Sequence, residues 1–281
     1  MNHFRTGLHP RPSAIIRSVK PKTLILRTAG TNCDGETAHA FTLAGATADT
    51  VHLNRILERP ALLDEYQILA FAGGFSYGDD IAAGRILANQ ITQRLGDDVR
   101  RFIDSSKPVI GICNGFQVLV KTDLLPGHSG TQPEDATGQT ATLTHNDCAR
   151  FVCEWVKVKS VSRKCVWTAD LGEVELPIAH GEGQFITRSP DVLAALHAND
   201  QVALTYVGDN PNGSADAIAG ICDASGLVLG LMPHPERHVT AYQHPAWTSR
   251  GTTGGLGGEG QGLRVFRNAV RHVTAAVGSG V

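Results

Sequence analysis

The sequence predicts an α/β fold, a mostly parallel central sheet with an antiparallel addition, and three observations predict it. Short apolar runs alternate with helical patterns through the first half of the chain. Strand patterns dominate the second half. An amphipathic helix closes the sequence. Apolar strands alternating with helices indicate parallel strands covered on both faces, whereas strands that follow one another across turns indicate antiparallel pairing.

The elements follow in chain order. Leu24 to Arg27 is an apolar run, and a helical pattern through Glu36, Ala40, Phe41 and Leu43 closes at Gly45. Val51 to Leu53 and Ile68 to Ala72 read as strands, the latter ended by Gly73-Gly74. Arg85 to Arg94 and Val99 to Ile103 read as helices, Pro108 to Ile112 as a strand and Phe116 to Leu125 as a helix. In the second half Ala141 to Leu143, Phe151 to Val161, Val202 to Val207, Ala217 to Cys222 and Val228 to Met232 read as strands. The turn Ala224-Ser225-Gly226 joins the last two. Leu263, Phe266, Val270, Val273 and Val277 recur at helical spacing in the closing helix. We expect residues 1–22 to be an extension and residues 23–281 one domain, with a Gly-rich loop at about 249–262.

Composition narrows the function class. A 281-residue chain buries a sizeable core. Its net charge of −2 argues against a general nucleic-acid binder. No apolar run approaches the roughly 18 residues of a membrane span, and the basic start lacks the apolar stretch of a secretory signal. A cytoplasmic location is expected. The six cysteines form no C-x-x-C pair, which argues against zinc-ribbon and thioredoxin readings, and a chain this long with no export signal does not need disulfides, so reduced thiols are expected.

One thiol stands out. Pro108-Val-Ile-Gly-Ile-Cys113-Asn-Gly-Phe-Gln117 places a cysteine between two glycines where a strand gives way to a helix. This is the cysteine form of a nucleophile elbow. The turn is so tight that only small neighbours such as Gly111 and Gly115 fit. The side chain then projects from the carboxyl end of a strand, where open α/β sheets bind ligands. It also sits at a helix N-terminus, whose partial positive charge favours an anionic sulfur. The alternative, a buried structural cysteine, does not account for the flanking glycines.

A thiol nucleophile needs a base and a group that orients the base. Leu229-Gly-Leu-Met-Pro-His234-Pro-Glu236 supplies both. Pro235 pushes His234 toward extended geometry, and positions i and i+2 of an extended segment share a side. Glu236 then holds the His234 tautomer. His234 and His238 have the spacing of helical zinc ligands, but Pro233 and Pro235 disfavour a helix there, so no metal site is expected. A surface His–Glu pair is the remaining alternative. In the stretch Gly73-Gly-Phe-Ser-Tyr-Gly-Asp-Asp80, the backbone N–H of Gly74, with that of Asn114, is a candidate oxyanion hole. Gly255-Leu-Gly-Gly-Glu-Gly260 satisfies G-x-G-x-x-G but follows no strand, and no P-loop is present.

These residues together resemble the class I, triad-type glutamine amidotransferases, and more narrowly the glutaminase subunits of phosphoribosylformylglycinamidine synthase. The matching stretches are Arg27 to Asp34, Gly73 to Asp79, Gly111 to Gln117, Asn146 to Phe151, His180 to Gly183 and Pro233 to Glu236. The resemblance implies a flavodoxin-like glutaminase fold with Cys113, His234 and Glu236 as its triad and Gly74 and Asn114 as its oxyanion hole. It places Gln117, Asn146, Arg150 and Phe151 on stretches that hold glutamine. Arg150 suits a carboxylate clamp, against the alternative of a surface ion pair. His180 and Glu182 fall near the active site or a partner interface. The resemblance further implies no cofactor in this chain, with ATP and Mg on a partner. The partners implied are a large synthetase subunit and, in split versions, a small bridging subunit. The sequence departs from the family in its N-terminal extension, in the stretch 241–261, at Asp123 and at Cys148.

The expected reaction is hydrolysis of glutamine to glutamate and ammonia, with ammonia passed to the synthetase in purine biosynthesis. A stand-alone hydrolase with the same elbow, of γ-glutamyl hydrolase or peptidase type, remains open at this point. So does a non-catalytic sensor that keeps the fold.

Overall fold

In the computed structural model, residues 20–79, 81–127, 139–249 and 258–278 are described. The expected extension before residue 20, Asp80, most of the Gly-rich loop (250–257) and the Val277 side chain lie outside them.

A nine-stranded sheet runs through the molecule. Its strands are β1 (Lys22–Arg27), β2 (Thr47–His52), β3 (Ile68–Phe71), β4 (Val109–Ile112), β6 (Val152–Ser160), β7 (Glu173–His180), β9 (Val202–Tyr206), β10 (Ile218–Cys222) and β11 (Val228–Leu231). β5 (Ala141–Thr144) and β8 (Gln184–Thr187) form a separate antiparallel pair. The large sheet has the order β2-β1-β3-β4-β11-β10-β9-β6-β7. From β2 to β11 all neighbours are parallel, and from β11 to β7 all are antiparallel.

The parallel half is apolar on both faces. β3 and β4 are buried at every position. Helices α1 (Asp34–Leu43), α3 (Arg85–Arg94), α4 (Gly96–Asp104), α5 (Asn114–Lys121) and α7 (Leu263–Gly278) cover it, α2 (Leu53–Glu58) follows β2 and α6 (Pro190–Ala198) follows β8. Phe41 of α1 meets Phe266 of α7 edge-on at 5.0 Å, and Trp167 packs behind Phe41 at 6.4 Å.

Several expectations shift. β1 begins at Lys22, and the Pro21 carbonyl accepts from the Thr47 N–H, so the sheet takes in the last residues assigned to the extension. β2 starts at Thr47, and Leu53 opens α2. The elbow helix spans Asn114–Lys121 and stops before Asp123, whose φ of 59° ends it. β7, β8 and α6 are elements beyond those read from the sequence.

The register aligns the carboxyl ends of the central strands. Leu26 pairs with Phe71, Phe71 with Gly111 and Leu231 with Ile112. The loops leaving β1, β3, β4 and β11 therefore meet at one edge, where parallel sheets bind ligands. The β6–β7 hairpin folds back to the same edge, because the Pro177 carbonyl of β7 accepts from the His234 N–H at 2.8 Å.

Candidate active site

Cys113 follows β4 and caps α5, with φ 52° and ψ −107°, in the left-handed half of backbone space. The elbow depends on its glycines. A Cβ on Gly115 would lie 2.0 Å from the Phe71 carbonyl oxygen, and one on Gly111 would lie 2.6 Å from the Gly115 oxygen. Strand and helix approach this closely only because both side chains are missing. The Cys113 thiol is buried and lies 3.8 Å from the Ala179 carbonyl of β7.

His234 follows β11 and is buried, and so is Glu236. The imidazole Nδ1 is 2.6 Å from a Glu236 carboxylate oxygen. Nε2, the nitrogen left over, is buried and makes no hydrogen bond of ordinary geometry, and the second Glu236 oxygen is likewise unpaired. Burial by itself would push His234 down. The Glu236 carboxylate, followed by the sulfurs of Cys113 and Cys33, reverses this and holds the imidazole well above its usual range. A thiol, an imidazole and a carboxylate are thus brought together at the ends of β4 and β11, the residue types a thiol nucleophile, its base and an orienting group would need.

The glycine loop after β3 packs beside them. A bridge between Thr31 and Gly74 uses the N–H groups of Asn32 (to Gly73 O, 3.3 Å) and Phe75 (to Gly30 O, 2.9 Å), leaving the Gly74 amide outside the pairing. Gly74 has φ +137°, and a Cβ there would lie 2.6 Å from the Asn32 nitrogen. The Asn114 N–H belongs to the first turn of α5, where helix amides lack intrahelical partners. The Asn114 side chain locks this loop to the elbow: its Oδ1 accepts from the Ser76 N–H, and its Nδ2 donates to Asp79 and to Gln117 Oε1. Asp79 also accepts from the Gly84 N–H, and burial pushes its carboxyl up.

Gln117 is buried and donates to the Glu182 carbonyl at 2.6 Å, so its amide holds the 180–183 loop. Asn146 is the centre of that loop. Its Nδ2 donates to the carbonyls of Arg150 and His180, and its Oδ1 accepts from the Gly183 N–H and faces His180 Nδ1 at 3.0 Å. Burial first, then His234, pushes His180 down to about 4. Glu182 is half-buried, the Arg150 side chain is exposed, and Phe151 is 55% exposed beside Gly181. The structure therefore groups His180, Asn146 and Gln117 tightly and leaves Arg150 and Phe151 at the surface of the same loop.

Two residues at the site had no assigned role in the sequence reading. Cys33 caps the start of α1, is 1% exposed and lies beside His234, and burial pushes its thiol up. Arg237 donates to the Cys33 sulfur at 3.1 Å and pairs with Glu36 at 3.1 Å. The signal available was topological: Cys33 follows β1 at the same sheet edge. The Cys33 sulfur, a His234 nitrogen and a Glu236 oxygen lie within 4.8 Å of one another, residue types that also ligate metals. The Nδ1–carboxylate hydrogen bond already engages two of these three groups, and we read the cluster as hydrogen-bonded.

A family model described as the CobB/CobQ-like glutamine amidotransferase domain matches residues 20–273. The chain belongs to the CobB/CobQ-like glutamine amidotransferases. It is 47% identical over 259 residues to the phosphoribosylformylglycinamidine synthase subunit PurQ of Dehalococcoides mccartyi, covering 90% of this chain and 97% of that one. The PurQ subunit of Archaeoglobus fulgidus is 39% identical over 272 residues, with 90% and 97% covered. Among solved structures, the PurLQS structure from Thermotoga maritima matches with a TM-score of 0.69 at 29% identity, covering 90% of this chain and 99% of that chain. As a glutamine amidotransferase of this kind, the chain is an enzyme with a glutaminase half-reaction.

Proposed function

We propose that this chain is the glutaminase subunit of phosphoribosylformylglycinamidine synthase. In this reading the Cys113 sulfur attacks the side-chain amide carbon of glutamine. The Gly74 and Asn114 amides hold the oxyanion. His234 protonates the departing nitrogen, ammonia leaves, and a γ-glutamyl thioester remains on Cys113. Water deprotonated by His234 then releases glutamate and the thiol. Gln117, Asn146, Arg150 and Phe151 bound the glutamine site, with Arg150 as the carboxylate clamp.

Ammonia passes to a large synthetase subunit, which holds ATP and Mg, and a small bridging subunit completes the complex. The PurLQS likeness supports this partnership. Among the described residues no helix is long and apolar enough to cross a membrane. A cytoplasmic location suits six free cysteines.

The observation that carries the reading is the buried His234–Glu236 pair beside the elbow thiol. The test is a paired assay of the complex with its synthetase. Cys113→Ala is expected to cut glutamine-dependent synthesis by at least about 10³-fold while ammonia-dependent synthesis continues. Retention of the glutamine-dependent reaction would overturn the assignment.

A further inference from the structure

Cys33 is a buried thiol at the site that the reaction above leaves without a task. Its backbone N–H donates to the Gly73 carbonyl at 3.2 Å, tying the start of α1 to the glycine loop. Its sulfur has two close polar partners: the thiol donates to Asn32 Oδ1 at 3.1 Å, and Arg237 Nη2 donates to the sulfur at 3.1 Å. The same sulfur and the His234 ring share one wall. A Cβ on Gly73 would lie 3.2 Å from the Cys33 sulfur and 3.1 Å from the His234 ring carbon Cε1. Independently of the cysteine, His234 Nε2 and one Glu236 oxygen are buried in this cluster without hydrogen-bond partners.

We infer that Cys33 is a positioning residue for the glutaminase step: its sulfur, anchored by Arg237 and Asn32, gives the His234 ring a polar wall that keeps it turned toward Cys113. The inference rests on the roles proposed above for Cys113 and His234. Two properties of sulfur matter. It is large enough to fill the gap beside the ring, and it retains lone pairs after its proton is committed to Asn32. Arg237 fixes it through a charge-assisted bond, and Glu36 fixes Arg237. The loop carrying the base is thereby fastened to α1.

The groups that bear on His234 come from four elements. They are Cys113 at the turn between β4 and α5, Cys33 at the N-cap of α1, His180 from β7, and Glu236 from its own loop, with Arg237 acting on Cys33. Cys33 is among those that favour the protonated ring. Removing its lone pairs weakens the imidazolium that would pair with an anionic Cys113.

The test uses Cys33→Ala, Cys33→Val and Cys33→Ser in the complex with the synthetase. Val fills the space without a lone pair, and Ser keeps lone pairs in a smaller side chain. The readouts are glutamine kcat and KM and the pH dependence of Cys113 alkylation by a diazoketone analogue of glutamine. Ammonia-dependent synthesis checks assembly and thermal unfolding checks folding. Ala and Val are expected to lose about tenfold or more in kcat with KM within about threefold. Their half-maximal alkylation is expected to move up by about half a pH unit or more. Ser is expected to stay within about threefold of the parent in kcat, at the parent's pH.

Rescue by Val but not by Ser would show that the sulfur merely fills space, and would overturn the inference. An unshifted alkylation profile in Ala and Val would do the same. If the Ala variant does not fold, the Val and Ser comparison decides. Failure of the parent protein to be alkylated at Cys113 would instead overturn the proposed function itself.

Discussion

At the residue scale the site depends on backbone geometry that side chains normally forbid. Cys113 at φ 52° sits in a state that costs on the order of 1–3 kcal/mol, held in place by the contacts of Gly111 and Gly115. That strain was legible in the sequence, because a cysteine between two glycines, after an apolar strand and before a helix, marks a tight strand-to-helix turn. The pairing of His234 with Glu236 was legible for the same kind of reason, since Pro235 sets the i, i+2 relation. Cys33 and Arg237 were not, because they are 204 positions apart and no local pattern joins them. His180 yields a prediction at this scale. Its folded pKa is depressed to about 4 from 6.5, so between those values the unfolded chain binds more protons than the folded one. Stability must therefore fall as pH falls through that window, by about 2 kcal/mol between pH 7 and pH 5 from this residue. His180→Gln should flatten that part of the curve. Urea unfolding at the two pH values checks it, and an equal pH slope in both proteins would refute it.

At the element scale the β6–β7 hairpin matters most, because it leaves the sheet edge and returns to the strand ends that carry the site. Its second strand was legible in principle. Glu173 to His180 alternates exposed or half-buried residues with buried ones, the two-residue period of a strand. Pro177 masked it, since proline argues against a central strand. The structure resolves this by placing β7 at the sheet edge, where Pro177 lends its carbonyl to the His234 N–H. Beyond the hairpin, the loops 146–151 and 180–183 are joined chiefly through Asn146. Asn146→Ala removes these bonds, among them the buried ones to the His180 carbonyl and from the Gly183 N–H, at a cost of roughly 2–4 kcal/mol. Glutamine KM is expected to rise at least about tenfold, with a smaller fall in kcat, if the loop bounds the glutamine site. Steady-state kinetics with denaturant unfolding measure both, and an unchanged KM would remove this loop from the glutamine site.

At the scale of the whole molecule, a parallel half and an antiparallel half share one sheet, and the site lies where the parallel strands end. The first half announced itself through apolar runs and intervening helices, and β1, β3, β4 and α3 fall close to where the sequence places them. The order β2-β1-β3-β4-β11 could not be read, because β11 joins β4 across more than a hundred residues and only the folded register brings His234 to Cys113. In the proposed reaction this meeting makes the Cys113 sulfur the atom that takes the γ-glutamyl group of glutamine as ammonia leaves. The most direct measurement is acid quenching of the complex during turnover of glutamine, followed by peptide mass mapping. A γ-glutamyl group is expected on the peptide that carries Cys113, and none in Cys113→Ala. Steady glutamine hydrolysis with that peptide unmodified, or with the group on another residue, would contradict it.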